Sequence, residues 1–507
     1  MRNTRDAYIV VTLDVGGSAA KASAFDAVRC AHLASASEPY PAPDVGDPGV
    51  FDPEAWWATA TRALASLTGI VDAPPGRYLG VVVSAIRIPF VLVDRDGDPV
   101  LPGLLNKDRR ALPNVAAVTA TIDADELYRT TGHWPTAEFG LPKLLWIRSH
   151  YPAPWRRTAI LLQLHDWFTY RLSGAIVSEP SSAAMSQMLD IAKRTWAGDV
   201  LGAFEIGTER FPELRSAGSR VGGVLDPVAQ ATGLPAGLPV HLGGGDTHLS
   251  AMSAGTGPDQ VPVVVAGTTA PVQLAVDALP NQPDCYPLLV SEHAIPGMWA
   301  LETNAGPTGG ILARLAGLDG ETGNALTDEV KRRGFEVTAD ADTPLTVLSG
   351  NPFFGAEGWA VAPPPTIAGL RPGHRGSDAV YAGLAGACYA IRSILDPLDQ
   401  QTGSSSPRIR VTGGMAQNSE WCQLMADVCE REIAVKPLDR ISGLAGAALV
   451  IGHESSQMAA EIDEIVFVPD QSLDTCHASG FGSYLDLYRT AQAIARDNVL
   501  SADACTR

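Results

Sequence analysis

The sequence predicts an α/β fold built twice, with a ligand cleft where the two copies meet. Two observations carry this reading. The first is an internal repeat. Residues 14–27, DVGGSAAKASAFDA, align without a gap on residues 265–278, VAGTTAPVQLAVDA, at an offset of 251 in a chain of 507. Gly16 meets Gly267, Ser18 meets Thr269, Ala19 meets Ala270, and Asp26-Ala27 meets Asp277-Ala278. Each copy follows a β-branched run, Ile9-Val-Val-Thr-Leu or Val261-Pro-Val-Val-Val, so each half opens as strand, small polar turn, strand. A repeat placed at the half-way point indicates duplication. The second observation is the alternation of strand and helix signals through both halves, which argues layered α/β structure. The expected domains are residues 1–254 and 255–507, joined through Ala251–Gln260.

The elements follow in order. Asp52-Pro53-Glu54 before AWWATATRALASL reads as a capped helix, with Asp at the N-cap and Pro at the first helical position. Tyr78–Val83 and Phe90–Asp94 read as strands, Leu141–Ser149 and Asp166–Leu172 as helices. An apolar strand, Pro239–Leu242, runs into Gly243-Gly244-Gly245, and a helix is expected over Thr247–Ala254 with Asp246 as its cap. In the second half, Asp378–Gln400 reads as a long amphipathic helix and Arg408–Thr412 as a strand. Ser419–Glu430 and Leu444–Gly452 read as helices, and Tyr484–Leu500 as a C-terminal one. Asn351–Gly376 is expected to be a long irregular loop.

Composition limits the function classes. Apolar residues make up 46% and charged residues 18%, the profile of an ordinary globular chain. Asp plus Glu number 56 against 37 Lys plus Arg, a net charge of −19. That balance argues against a broad nucleic-acid or anionic-membrane surface. It leaves room for a local anion site made of backbone N–H groups. No apolar run reaches the ~18 residues of a membrane span, and the N-terminus is too short and polar for a signal peptide. The expectation is a cytoplasmic protein. The seven cysteines contain no C-x-x-C pair, which argues against a zinc knuckle or a disulfide scaffold. Cys422 and Cys429, seven apart on a helix, are expected to be core-facing thiols.

Four segments carry chemistry. In Asp14-Val-Gly16-Gly17-Ser18 a carboxylate ends a buried strand and two glycines follow. Glycine allows a tight turn that brings N–H groups close to a ligand. Asp14 can hold Mg²⁺ or its waters, and Lys21 can meet a phosphate. Gly267-Thr268-Thr269 repeats the small and hydroxyl residues, so two facing hairpins offer donors to a polyphosphate. Asp246, after the triple glycine, stands where a general base for phosphoryl transfer to an alcohol is needed. Thr247 and His248 adjoin it. In Gly413-Gly414-Met415-Ala416-Gln417-Asn418, two glycines after a strand permit close approach of a flat ligand, and Asn418 either caps the next helix or bonds an adenosine edge.

Taken together, these motifs resemble the FGGY family of carbohydrate kinases over about residues 8–453. The resemblance implies two actin-like (ribonuclease H-like) domains with a nucleotide cleft between them. It implies ATP and Mg²⁺, a small sugar or polyol as substrate, and a homodimer. Asp14–Lys21 resembles the first phosphate motif, Gly267–Thr269 the second, and Gly413–Asn418 the adenosine motif, with Asp246 on the catalytic aspartate. Asp108-Arg109-Arg110 resembles the D-x-R element beside the sugar. Asp166–Gly174, Ser181-Ser182-Ala183 with Asp190, and the Gly443–Ala448 helix resemble further family segments. The departures bear on substrate. Ala19 replaces a hydroxyl residue, Asn106 replaces a tryptophan, and Ile86 and Ile88 flank Arg87, which disfavours glycerol. Asp246-Thr247-His248 resembles ribulokinase-like members, while Arg87 and Ile295-Pro-Gly-Met-Trp resemble autoinducer kinases. The expected reaction is phosphorylation of a ketose such as a pentulose. The alternatives are a dihydroxy-ketone kinase of the autoinducer type, and a non-sugar ATPase or catalytically weak regulatory homologue of the same superfamily.

Overall fold

Ile9–Val15 forms strand β1, and every residue but Asp14 is buried. It turns through Gly16–Ser18 into β2 (Ala19–Asp26) and then β3 (Ala31–Pro39). β4 (Tyr78–Ala85), β5 (Arg220–Gly223) and β6 (Pro239–Gly245) complete a sheet of order β5-β6-β4-β1-β2-β3. β1, β4 and β6 run parallel, and the outer strands are antiparallel to their neighbours. This computed structural model describes residues 6–29, 31–41, 49–267, 269–280, 288–309, 345–348, 365–374, 376–403, 405–437, 444–452 and 462–505.

The second half repeats the plan. Its strands are β7 (Val263–Val265), β8 (Thr269–Val276), β9 (Leu289–Glu292) and β10 (Trp299–Pro307), then β11 (Arg408–Thr412), β12 (Glu432–Val435) and β13 (Ile465–Phe467). The sheet order is β9-β10-β8-β7-β11-β12-β13. β7, β11 and β12 are parallel, like β1, β4 and β6, with antiparallel strands outside them. The register refines the repeat. Leu13 pairs with Ala22, whereas Val264 pairs with Val272. With Gly16 set on Gly267, the strand after the second turn therefore lies one residue earlier than the gapless alignment places it. Ala20, not Ala19, is the counterpart of Ala270, and the burial patterns of β2 and β8 then coincide.

The expected helices match their observed spans to within three residues at either end, apart from the last. Asp52 caps α1 (Pro53–Ile70), accepting from the Glu54 and Ala55 amides. α2 is Leu164–Ser173, α3 Asp246–Ala254, α4 Gly376–Thr402, α5 Ser419–Cys429 and α6 Leu444–Ile451. The expected C-terminal helix lies inside a longer one, Asp474–Cys505. Cys422 and Cys429 are buried on α5, where burial first of all raises both thiols to about 12. Two expectations need correction. The N-cap of α3 is Gly245, so Asp246 is the first helical residue and does not cap the helix. Within the expected loop, Thr366–Ala368 is a strand paired with Thr346–Leu348; residues 351–364 and 375 lie outside the described residues.

Two exchanges tie the halves together. α3 packs on β7 and β11 of the second sheet, while α6 packs on β1 and β4 of the first. A Cβ on Gly446 would stand 2.7 Å from Thr12 Cγ2 and 2.8 Å from Val82 Cγ1, so only glycine lets α6 approach this closely. The core is also shared. Tyr128, Trp134, Phe139, Met185 and Ile191 of the first half belong to the same buried cluster as the strands of the second sheet. Among the described residues no helix is long and apolar enough to cross a membrane.

Candidate active site

A cavity of about 220 Å³ opens at the meeting of the two halves. Thr12 and Asp14 of β1, Lys21 and Ser23 of β2, and Ser84 of β4 line one side. Asp246, Ser250 and Ser253 of α3, Thr412 of β11 and Gly446 of α6 complete it. The lining is mostly carboxylate, hydroxyl and ammonium, which suits a hydrated, charged ligand better than an apolar one.

Asp14 and Asp246 face the same cavity. Ser84 Oγ donates to Asp14 Oδ1 at 3.1 Å. Burial, and next the Asp246 charge, raises the Asp14 carboxyl from 3.8 to about 6. Asp246 is also raised by burial, with the Arg87 charge opposing. Its Oδ1 accepts from the Thr247 amide at 2.7 Å and the Thr247 hydroxyl at 3.2 Å, so Thr247 serves the carboxylate directly.

The glycine strand that presents Asp246 is held by side chains. Gly243 N donates to His165 Nε2 at 3.2 Å, and His165 Nδ1 lies 3.1 Å from Asp166 Oδ1. Since Nε2 accepts, the ring proton sits on Nδ1 and is donated to Asp166. Gly245 N donates to Ser181 Oγ at 3.4 Å, and Ser181 Oγ donates to Glu179 at 2.5 Å. The Asp166 and Ser181 segments thus position the strand from behind. A Cβ at Gly243 would run into Val83 O, and one at Gly245 into the Arg87 side chain. The first and third glycines are therefore packing requirements.

Beside Asp246 lies a buried polar cluster drawn from both halves. Arg87 makes a two-pronged ion pair with Glu302 of β10, Nη1–Oε1 at 2.7 Å and Nη2–Oε2 at 2.9 Å. Ser291 Oγ donates to Glu302 Oε1 at 2.8 Å. His248 Nε2 lies 3.1 Å from Arg87 Nη1, and its ring stacks on His293 at 4.6 Å. Burial opposes ionisation of Glu302, but Arg87 and His248 outweigh it and hold the carboxyl well below its ordinary range. Next to Arg87, Ile88 adopts φ +89°, which costs a β-branched residue of order 1–3 kcal/mol and recurs at functional sites. Glu302, Ser291, His293 and Glu179 carry no motif in the sequence and were not anticipated. Arg87 among apolar neighbours was the available signal, because a buried guanidinium needs a carboxylate partner.

The remaining expected residues distribute as follows. Gly16 N donates to Ala19 O at 3.1 Å and Gly267 N to Thr269 O at 2.9 Å, so both turns form. Thr269 Oγ1 accepts from Asn304 at 3.3 Å. Thr268 lies outside the described residues. Gly413, at φ +96°, abuts the second hairpin, with a Cβ there meeting Ala266 O. Gly414–Gln417 form a tight 3₁₀ turn, and Asn418 caps α5 by accepting from Trp421 N at 3.0 Å. Gly16, Gly17, Ser18, Gly267, Gly414, Gln417 and Asn418 sit on turns outside the lining of the cavity. Asp108 is likewise not part of that lining. It is buried and pairs with Arg110, accepting at Oδ1 from the Arg110 amide at 2.9 Å.

Two half-buried carboxylates and several hydroxyls around one polar cavity supply hard oxygen donors, the set a magnesium ion takes. Among the described residues no group of three or more His, Cys, Asp or Glu is arranged to enclose a metal on its own.

Both halves of the chain match models of one known family. Residues 9–253 match the N-terminal domain of the FGGY family of carbohydrate kinases, and residues 263–454 its C-terminal domain. The YoaC protein of Bacillus subtilis (strain 168) is 29% identical over 83% of this chain and 84% of its own. The autoinducer-2 kinase of Photorhabdus laumondii is 26% identical over 87% and 85%. The crystal structure of xylulose kinase from Rhodospirillum rubrum is 25% identical, covers 96% of this chain and 100% of its own, and superposes with a TM-score of 0.81. A chain whose two halves each match a domain of one family, in that order and around one shared cleft, belongs to the FGGY family of carbohydrate kinases.

Proposed function

We propose that this chain transfers the γ-phosphoryl group of ATP, the family's phosphate donor, to a hydroxyl of a small ketose of pentulose type, with Asp246 as the general base. The observation that carries it is Asp246 itself: a half-buried carboxylate at the head of α3, sharing one interdomain cavity with Asp14. Phosphoryl transfer asks the protein for positioning and charge neutralisation, and for a carboxylate to take the hydroxyl proton. Burial strengthens Asp246 as a proton acceptor. Thr247 keeps one of its oxygens engaged, so the other is left for the substrate hydroxyl. Amides of the Gly16–Ser18 and Gly267–Thr269 turns would bind the phosphates, together with Lys21 and the Thr268 hydroxyl. Asp14 would hold Mg²⁺, which when bound neutralises phosphate charge. Gly413, Gly414, Gln417 and Asn418 would line the adenosine site, and Arg87, Asp108, Thr247 and His248 the acceptor side. In this reading residues 1–254 carry the sugar and residues 255–507 the adenosine.

A dihydroxy ketone of the autoinducer type is the second reading, favoured by the match to an autoinducer-2 kinase over most of both chains. A general base contributes ~10²–10⁴-fold. Asp246→Asn should lose turnover by that factor and keep nucleotide affinity. ADP release across ketoses, polyols and dihydroxy ketones, paired with ATP titration calorimetry, measures both. Turnover close to wild type in Asp246→Asn would refute the role.

A further inference from the structure

The Arg87–Glu302 pair bears on which acceptors the site admits. A guanidinium beside a carbohydrate site is the natural receptor for a substrate carboxylate, because its planar fork matches a carboxylate with two parallel bonds. Here that fork is already filled. Both Nη atoms bond Glu302, which comes from the other half, and Ser291 fixes the carboxylate from behind. The Arg87 and Glu302 side chains are only 9% and 3% exposed, so the pair sits in a low dielectric where a third charge is felt strongly.

The charge balance runs against an acid. Arg87 interacts with Glu302, Asp246 and Glu179, three carboxyl groups around one cation. The neighbouring histidines add no positive charge at neutral pH. Burial lowers His248, His293 and His133, the last to about 4. Two neutral ring atoms, His248 Nδ1 and His293 Nε2, are meanwhile buried without a hydrogen-bond partner. Such atoms call for a ligand with neutral hydroxyl or carbonyl groups.

We propose that Glu302 is the specificity-determining residue of the acceptor site: by occupying the fork of Arg87 across the domain seam, it admits uncharged polyhydroxy substrates and excludes sugar acids. This deepens the kinase reading and rests on it. Glu302 acts through Arg87 and is a positioning residue, not a catalytic one.

The test compares an aldonate with the alditol of the same chain length, D-gluconate against D-glucitol. Binding is read by thermal shift and titration calorimetry on the full chain. Wild type should respond to D-glucitol and not to D-gluconate. Glu302→Gln keeps the shape but frees the fork, so selectivity should reverse by at least ~tenfold, the scale of one charge-assisted interaction. Adding Arg87→Gln to that variant should abolish the gained gluconate response. Glu302→Asp keeps the charge and should retain wild-type selectivity, which also covers the case in which Glu302→Gln does not fold. The inference is overturned if wild type binds D-gluconate as tightly as Glu302→Gln does, if folded Glu302→Gln shows no response to it, or if Glu302→Asp gains one. Because these readouts need no turnover, they stay separate from the Asp246→Asn result on which the kinase reading depends.

Discussion

Lys143 shows how strongly single residues are committed in this fold. Its side chain is wholly buried on the Gly140–His150 helix, and Nζ donates to Leu105 O at 2.6 Å, just before the Asp108 segment. Burial first, against the attraction of Asp108 and Glu138, lowers its ammonium from 10.5 to about 7. In the unfolded chain the lysine stays protonated up to its ordinary value, while the folded chain releases the proton near 7. Between about pH 7 and 10.5 the unfolded state therefore binds more protons, and this residue makes stability rise with pH at up to ~1.4 kcal/mol per unit. Lys143→Met should flatten that slope and raise stability near pH 7. Denaturant melts of both proteins at pH 7 and pH 9 check this. An unchanged slope would show that Lys143 stays charged. Ile88 and Arg87 are committed in a similar way, since a strained β-branched residue holds the arginine at the seam.

Among the elements, α6 decides the width of the cleft. Its residues Ala445 and Gly446 line the cavity, and Ala445 N donates to Ser253 Oγ of α3 at 3.2 Å. The missing side chain of Gly446 lets the helix lie against Thr12 and Val82, two stiff β-branched residues of the first sheet. Gly446→Ala should force the helix outward. Overpacking of this kind costs about 1–3 kcal/mol, and ATP affinity should fall along with the melting temperature. A variant with wild-type stability and affinity would mean that α6 is free to shift. α3 makes the reciprocal crossing, and its first residue is Asp246. Asp246, the proposed general base, is thus carried by an element packed on the opposite half's sheet, so a change in the angle between the sheets moves it.

Over the whole molecule, the first half supplies part of the second half's core. Tyr128 Oη donates to Leu288 O at 2.7 Å, Val290 N donates to Gly132 O at 3.0 Å, and the Arg194 guanidinium lies 4.4 Å from the Trp299 ring centre. Trp134, Phe139 and Ile191 fill the same cluster as Val272 and Leu301. Two domains that share a core lose it together, so calorimetry of the unliganded chain should show one cooperative transition. Two well-separated transitions would mean that the seam contributes little.

The sequence by itself determined the two-fold plan, the strands and long helices that carry the motifs, the family, and the motif residues Asp14, Lys21 and Asp246 that line the cleft. These are legible because periodicity, glycine turns and caps act over a few neighbouring residues. The tertiary structure decided the rest. It placed Gly245, not Asp246, at the cap of α3, because the strand runs three residues further than its apolar pattern, through all three glycines. It shortened the second hairpin by one residue, which a gapless alignment cannot show. It joined Arg87 to Glu302 across 215 residues of chain. An ion pair of that separation leaves no local pattern, since what selects the partner of a buried charge is the meeting of two folded surfaces.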